Sequence, residues 1–223
     1  MSAPSPFPAA LLIFDFDGTL IDSKYDIATS VNLTLRDLGL PTRPQEEIFS
    51  FVGDGVKRLL RLAVGEDHLD RYETALKIFR EHYLAHCLDT TRLYPGIEQV
   101  FAQLGDVRKA IATNKSLEYT LRIVEGLGVR EWFAAIESPE ESSELKPDPG
   151  MILRVLATLQ VPPERTVLVG DSTNDVRAAQ AAGIRSCAVG YGYGKPEKML
   201  ALAPDYYCQT PEDLLRLFSR TTS

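Results

Sequence analysis

Apolar residues along this chain follow two different rhythms. Between about Ser23 and Asp89 they recur at helical spacing, with no strand-like alternation. In residues 22–40 the repeating positions are Ile27, Val31, Leu35 and Leu38, and Gly39 with Pro41 beyond it marks the helix end. Residues 44–51, 55–64 and 67–88 read as three further helices, divided by Gly53-Asp54-Gly55 and Gly65-Glu66. Before this helical stretch, residues 11–14 form an apolar run too short for an ordinary helix and suited to a buried parallel strand. The tail up to about residue 10, rich in Pro, Ala and Ser, is expected to be mobile.

From Leu93-Tyr94-Pro95-Gly96 onward the rhythm becomes alternating helix and strand. The pattern predicts helices over 96–105, 116–127, 148–160, 173–182 and 211–219. Between them it predicts strands over 109–113, 132–137, 166–170 and 185–189, with a weak one over 206–208. Repeated strand–helix units imply an α/β class: a Rossmann-like parallel sheet core with helices on both faces and right-handed crossovers. The expected division is a core of residues 1–21 and 89–223, with residues 22–88 inserted after the first strand as a small helical cap domain.

Composition narrows the function. The 223 residues, 44% hydrophobic, suffice for one good core and a small second one. A net charge of −7 argues against general binding to nucleic acid or a membrane surface. It leaves room for a small phosphorylated metabolite held by a few local cations. Cys87, Cys187 and Cys208 lack any CxxC spacing and read as free thiols of a reducing compartment. Residues 1–10 lack a basic segment and the following apolar run is broken by Asp15, so a soluble cytoplasmic protein is expected; monomer and homodimer both stay open.

The chemistry gathers where the first strand ends, in Asp15-Phe16-Asp17-Gly18-Thr19. Two carboxylates two residues apart at the end of a buried strand are costly to desolvate unless a cation lies between them. Gly18 permits a sharp turn whose amides can face an anion. Three more motifs end or follow the later strands: Thr113-Asn114, Lys146-Pro147, and Gly170-Asp171 with Asp175 about one helical turn on. In a parallel sheet these strand ends share one edge, where α/β folds bind ligands. Alone, each has a plainer reading; Asp15 and Asp17 fit a capped turn, and Asp175 a helix cap. Gly190-Tyr191-Gly192-Tyr193-Gly194 lacks full nucleotide-loop spacing and reads as a flexible loop.

Taken in order, DxDGT, TN, KP and GDxxxD with helices between the first two resemble the haloacid dehalogenase superfamily, whose phosphatases share this series. The resemblance spans the whole chain. It implies Asp15 as a nucleophile forming an aspartyl phosphate and Asp17 as the acid that protonates the leaving group. It implies Mg²⁺ held by Asp15, the Asp17 backbone carbonyl and Asp171, with Asp175 orienting other groups. Lys146 then offsets negative charge, while Gly18, Thr19, Thr113 and Asn114 bind the phosphate. Asp17 also separates the chain from dehalogenases, which lack that second acid.

Within the family, the stretch around Gly53-Asp54-Gly55 and the GYGYGKPE segment resemble phosphoglycolate phosphatases. The expected reaction is hydrolysis of a small phosphate monoester, with 2-phosphoglycolate foremost. Lys57 and Arg58 are the expected partners of its carboxylate. The alternatives are a sugar-phosphate phosphatase, a pyrophosphatase, a phosphomutase, or a non-catalytic binding protein on the same fold.

Overall fold

The structure is a computed structural model, and it describes residues 6–219. Six parallel strands form the main sheet: β1 (Leu11–Phe14), β2 (Arg108–Ala112), β3 (Ala135–Glu137), β4 (Thr166–Gly170), β5 (Arg185–Val189) and β6 (Tyr206–Cys208). Their spatial order is β3-β2-β1-β4-β5-β6, so β1 lies between β2 and β4. In register, Phe14 sits beside Ile111 on one side and Val169 on the other. The chain reverses direction across the sheet at β1, and the crevice at such a reversal is where open α/β sheets take ligands.

The strand alternation sorts the core into two layers. Leu12 and Phe14 of β1 face a layer built with α5 (Ile97–Leu104) and α6 (Leu117–Gly126), through Val100, Phe101, Ile123 and Val124. Leu11 and Ile13 face the opposite layer, with Met151 and Val155 of α7 (Gly150–Leu159) and Ala178 of α8 (Thr173–Ala181). All four β1 side chains are fully buried, each contributing ~1.5–3 kcal/mol. Such a strand has no solvent face, which explains its unbroken apolar run.

Between β1 and Arg92–Leu93 lie α1 (Lys24–Asp37), α2 (Gln45–Phe49), α3 (Gly55–Val64) and α4 (Tyr72–His86). Helix α1 packs along α4 through Ile27, Val31 and Leu35 against Ala75, Phe79 and Tyr83. These apolar side chains run into the same cluster as the β1 face that carries Leu12 and Phe14. Leu59, Leu60, Ala63 and Val64 form the buried side of α3, which leaves Lys57 and Arg58 pointing to solvent. Where the segment leaves and rejoins the sheet, Ile21–Asp22 pairs antiparallel with Arg92–Leu93. The buried Asp26 carboxylate fixes that junction by accepting from the backbone and hydroxyl groups of Thr90 and Thr91.

Two short helices complete the chain, α9 (Pro196–Leu200) and α10 (Asp213–Leu217). The tail differs from expectation: Phe7–Pro8 is not free but pairs in parallel with Phe218–Ser219. Residues 1–5, also expected to be mobile, lie outside the described residues. Among the described residues no helix is long and apolar enough to cross a membrane.

Candidate active site

Strand β1 delivers Asp15 at its end, and the following turn delivers Asp17. Gly18 makes that turn possible with φ +84°, and a Cβ there would lie 2.3 Å from Asp171 Oδ2. A side chain at position 18 is therefore excluded both by backbone conformation and by the neighbouring carboxylate. The Gly18 amide donates inward to Ile21 O at 2.9 Å, and the Thr19 amide to Phe16 O at 3.3 Å. Thr19 itself is fully buried, with its hydroxyl 3.5 Å from Asp171 Oδ1. These two expected phosphate ligands thus shape the turn and back Asp171 instead of lining the cavity, because their amides close the turn itself.

Lys146 stands at the centre. Its ammonium donates to Asp15 Oδ1 at 2.8 Å, Asp175 Oδ1 at 2.6 Å and Ala112 O at 2.8 Å. Burial penalises this charge, but Asp15 and Asp175 outweigh the penalty and raise its pKa. Asp175 is held in turn by a capping box with Ser172 at the start of α8, accepting from the Ser172 amide at 3.0 Å. Asp175 therefore aligns Lys146 and caps a helix at once.

Asp171 directly follows β4, and its Oδ2 accepts from the amides of Tyr193 at 2.6 Å and Gly194 at 3.2 Å. The loop carrying them is consequently not a free one. Tyr191 donates its hydroxyl to Thr19 O, Tyr193 donates its own to Asp22 Oδ1, and a Cβ on Gly192 would meet Gly18 O at 2.2 Å. Glycine recurs here because the loop lies directly on the Asp171 turn. Burial pushes Asp171 up to about 8, with Asp15 and Asp175 adding to it. Burial likewise pushes Asp15 up to about 6, against the opposing pull of Lys146.

Oxygen atoms of Asp15, Asp171 and Asp175 lie within 4.8 Å of one another. Asp175 is already engaged by Lys146 and Ser172, which leaves Asp15 and Asp171 as the carboxylates open to a metal ion. Two carboxyls, Asp15 half-buried and Asp171 buried, are held above their ordinary range and, with oxygen donors alone, fit a hard divalent cation.

Asp17 points elsewhere than the other acids. Lys115 Nζ donates to both of its oxygens at 3.0 Å, and Ser23 Oγ donates to Oδ1. Lys115 belongs to none of the four motifs, although it directly follows Thr113-Asn114. Its neighbour Asn114 is buried and ties segments together: the side chain donates to Gly53 O at 3.0 Å and accepts from Lys146 N at 2.7 Å. Thr113 Oγ1 accepts from Lys115 N at 3.2 Å. Thr113 and Asn114 do reach the cavity wall, with the Asn114 side chain committed to these links.

The cavity above this floor has a volume of about 680 Å³. Its floor holds Asp15, Asp17 and Asp171, and its roof holds Phe49 to Val56, Leu59, Phe79 and Tyr83. The N-terminal ends of α3, α6 and α8 all open onto it, an arrangement favourable to anions. Lys24, Lys115, Lys195 and Lys198 are its cations. Lys57 and Arg58 are not among the lining residues, contrary to expectation; Arg58 instead pairs with Asp54 at 2.7 Å on the exposed side of α3. The reason is the amphipathic geometry of α3, which turns Leu59 and Leu60 inward.

Comparison with known proteins follows the same lines. The Haloacid dehalogenase-like hydrolase family matches the chain over residues 12–189. The phosphoglycolate phosphatase of Chromobacterium violaceum is 37% identical over 187 residues, covering 81% of this chain and 84% of its own. That of Nitrosospira multiformis is 30% identical over 224 residues, covering 97% and 99%. Among solved structures, a predicted phosphoglycolate phosphatase from Haemophilus somnus superimposes with a TM-score of 0.84 at 27% identity, covering 93% of this chain and 96% of the other.

Proposed function

The chain belongs to the haloacid dehalogenase-like hydrolases, and we propose on that premise that it is a Mg²⁺-dependent phosphatase whose preferred substrate is 2-phosphoglycolate. One observation carries the reading: the two acids of a single turn meet one cavity in different company. Asp15 lies against Lys146 and near Asp171, whereas Asp17 lies against Lys115. A nucleophile and a leaving-group acid need such a separation.

Asp15 attacks phosphorus, forming an aspartyl phosphate as the ester oxygen departs. Asp17 gives that oxygen its proton, then takes one from the water that releases phosphate. Lys146 stabilises the charge on Asp15 and the transferring oxygens. Asp15, Asp171 and the Asp17 carbonyl would hold Mg²⁺, which supplies positive charge to the phosphoryl oxygens and permits Asp15 to ionise. Thr113 and the amide ends of α6 and α8 orient the phosphate. Residues 22–88 act as a cap, covering the site and excluding water.

The names of the relatives and the cationic wall together support phosphoglycolate. Volume alone does not select it, since the cavity would admit a larger ester. Charge does: Lys24 lines the cavity and offers the carboxylate a partner that an uncharged ester cannot use. Three free, buried thiols support a cytoplasmic setting, with Cys187 and Cys208 sulfurs 3.6 Å apart and unbonded. The test is phosphate release from a panel of monoesters with Mg²⁺ and with chelator. Release that is fastest on 2-phosphoglycolate and abolished by chelator is the expected result; release unaffected by chelator would contradict the metal assignment.

A further inference from the structure

Lys115 is more than one of four cations around the cavity. It is only 8% exposed, and all three of its N–H directions are taken by Asp17 Oδ1, Asp17 Oδ2 and the Tyr83 hydroxyl, the last at 2.6 Å. A buried ammonium with full hydrogen bonding is stable only while its partners keep their places. Its partners come from two parts of the chain: Asp17 from the turn after β1, and Tyr83 from α4 of the helical segment. Tyr83 is itself fixed. Its ring stacks on Phe79 with centroids 5.3 Å apart and meets the edge of Tyr119 at 5.0 Å. The Lys115 ammonium also lies 4.6 Å from the Tyr83 ring centroid.

We infer that Lys115 is a positioning residue of the hydrolytic reaction, holding the Asp17 carboxylate at the cavity floor, with Tyr83 of the helical segment locking Lys115 in place. The inference rests on the reading of Asp17 as the leaving-group acid. Among the described residues Asp17 carries no link to Lys146, and without Lys115 only Ser23 remains to orient its carboxylate. The helical segment thereby takes part in aiming a core acid, not only in covering it. A misplacement of about 1 Å in such a group is enough to lose much of its effect.

The experiment compares Lys115→Met, Lys115→Arg and Tyr83→Phe with the parent, using ethyl phosphate and p-nitrophenyl phosphate. Ethoxide needs a proton as it leaves, and nitrophenoxide scarcely does. In single turnovers, which isolate phosphoryl transfer to Asp15 from the later release of phosphate, Lys115→Met should slow the step roughly 10- to 100-fold with ethyl phosphate and by less than about threefold with p-nitrophenyl phosphate. Tyr83→Phe should repeat the pattern more weakly, and Lys115→Arg should restore part of the loss. Equal losses on both esters would overturn the inference, as would an effect confined to KM for 2-phosphoglycolate, which would make Lys115 a substrate ligand instead. A second readout needs no turnover: thermal melting of Lys115→Met, Asp17→Asn and the double variant. Non-additive shifts support the contact, and additive shifts overturn it. Should the parent hydrolyse no monoester at all, the phosphatase reading falls, and the melting cycle alone decides whether Lys115 holds Asp17.

Discussion

Asn174 Nδ2 donates to Asp54 Oδ1 at 2.7 Å, joining the start of α8 in the core to the Gly53-Asp54-Gly55 turn of the helical segment. A second link runs beside it, from Asn114 Nδ2 to Gly53 O at 3.0 Å. The turn is therefore latched to the same strand ends that supply Thr113 and Asp171. Asn174→Ala should loosen it while changing overall stability by only about 1 kcal/mol, as for one partly exposed hydrogen bond. Hydrogen exchange should quicken at residues 51–56 and kcat/KM should fall several-fold. Unchanged exchange in that stretch would show that the latch does not hold the turn.

Recognition of the substrate's far end should follow the cavity lining. Lys24 lies 5.3 Å from the Tyr25 ring centroid and 5.5 Å from that of Phe49, and it faces the cavity. Lys24→Met should lower kcat/KM for 2-phosphoglycolate by ~1–3 kcal/mol of transition-state binding, while sparing ethyl phosphate. Lys57→Ala and Arg58→Ala should each stay within about twofold of the parent on both esters, since neither residue lines the site. A selective loss in either α3 variant, with Lys24→Met normal, would return recognition to α3.

Metal-free protein should respond to pH in a definite direction. Asp15 and Asp171 are raised from an ordinary 3.8 to about 6 and about 8, so between these limits the folded chain binds more protons than the unfolded one. Stability in chelator must then fall as pH rises through that window, from about pH 5 to about pH 8. Saturating Mg²⁺ binds the ionised carboxylates and should raise the melting temperature most at the alkaline end. A melting temperature that is flat in chelator over the same range would contradict the packing of these two acids.

Gly18→Ala tests the tight contact behind the metal site. It places a Cβ 2.3 Å from Asp171 Oδ2 in a backbone of φ +84°. The expected cost is about 1–3 kcal/mol of stability, with weaker Mg²⁺ activation as Asp171 is displaced. Normal activation by Mg²⁺ would mean that Asp171 can shift without loss.

How far the sequence carries can be read from individual residues. Strands β1 and β4 announce themselves because side chains buried on both faces leave nearly uninterrupted apolar runs. Asp15, Lys146 and Asp171 are legible for a related reason: each follows directly on a recognisable strand or motif, and the parallel sheet brings those ends together. Lys115 was illegible because its role depends on Tyr83, which is 32 positions away and gives no sign in sequence that its hydroxyl meets an ammonium. Lys57 and Arg58 misled for the opposite reason. Their proximity to Gly53-Asp54-Gly55 suggested a site, but the rotation of α3 is set by Leu59, Leu60 and Ala63 packing inward. The GYGYG loop looked free because its ties to Asp171, Asp22 and Thr19 are all long-range.

The most direct test of the central claim is phosphate release from 2-phosphoglycolate in Mg²⁺ by the parent and by Asp15→Asn. The substitution keeps the size of the side chain and removes the nucleophile. It also relieves a buried like charge beside Asp171 and Asp175, so the metal-free variant should melt no lower than the parent. Turnover should drop by a factor of about 10³ or more while the protein remains folded. A folded Asp15→Asn protein releasing phosphate within tenfold of the parent would contradict catalysis through an aspartyl phosphate at this site.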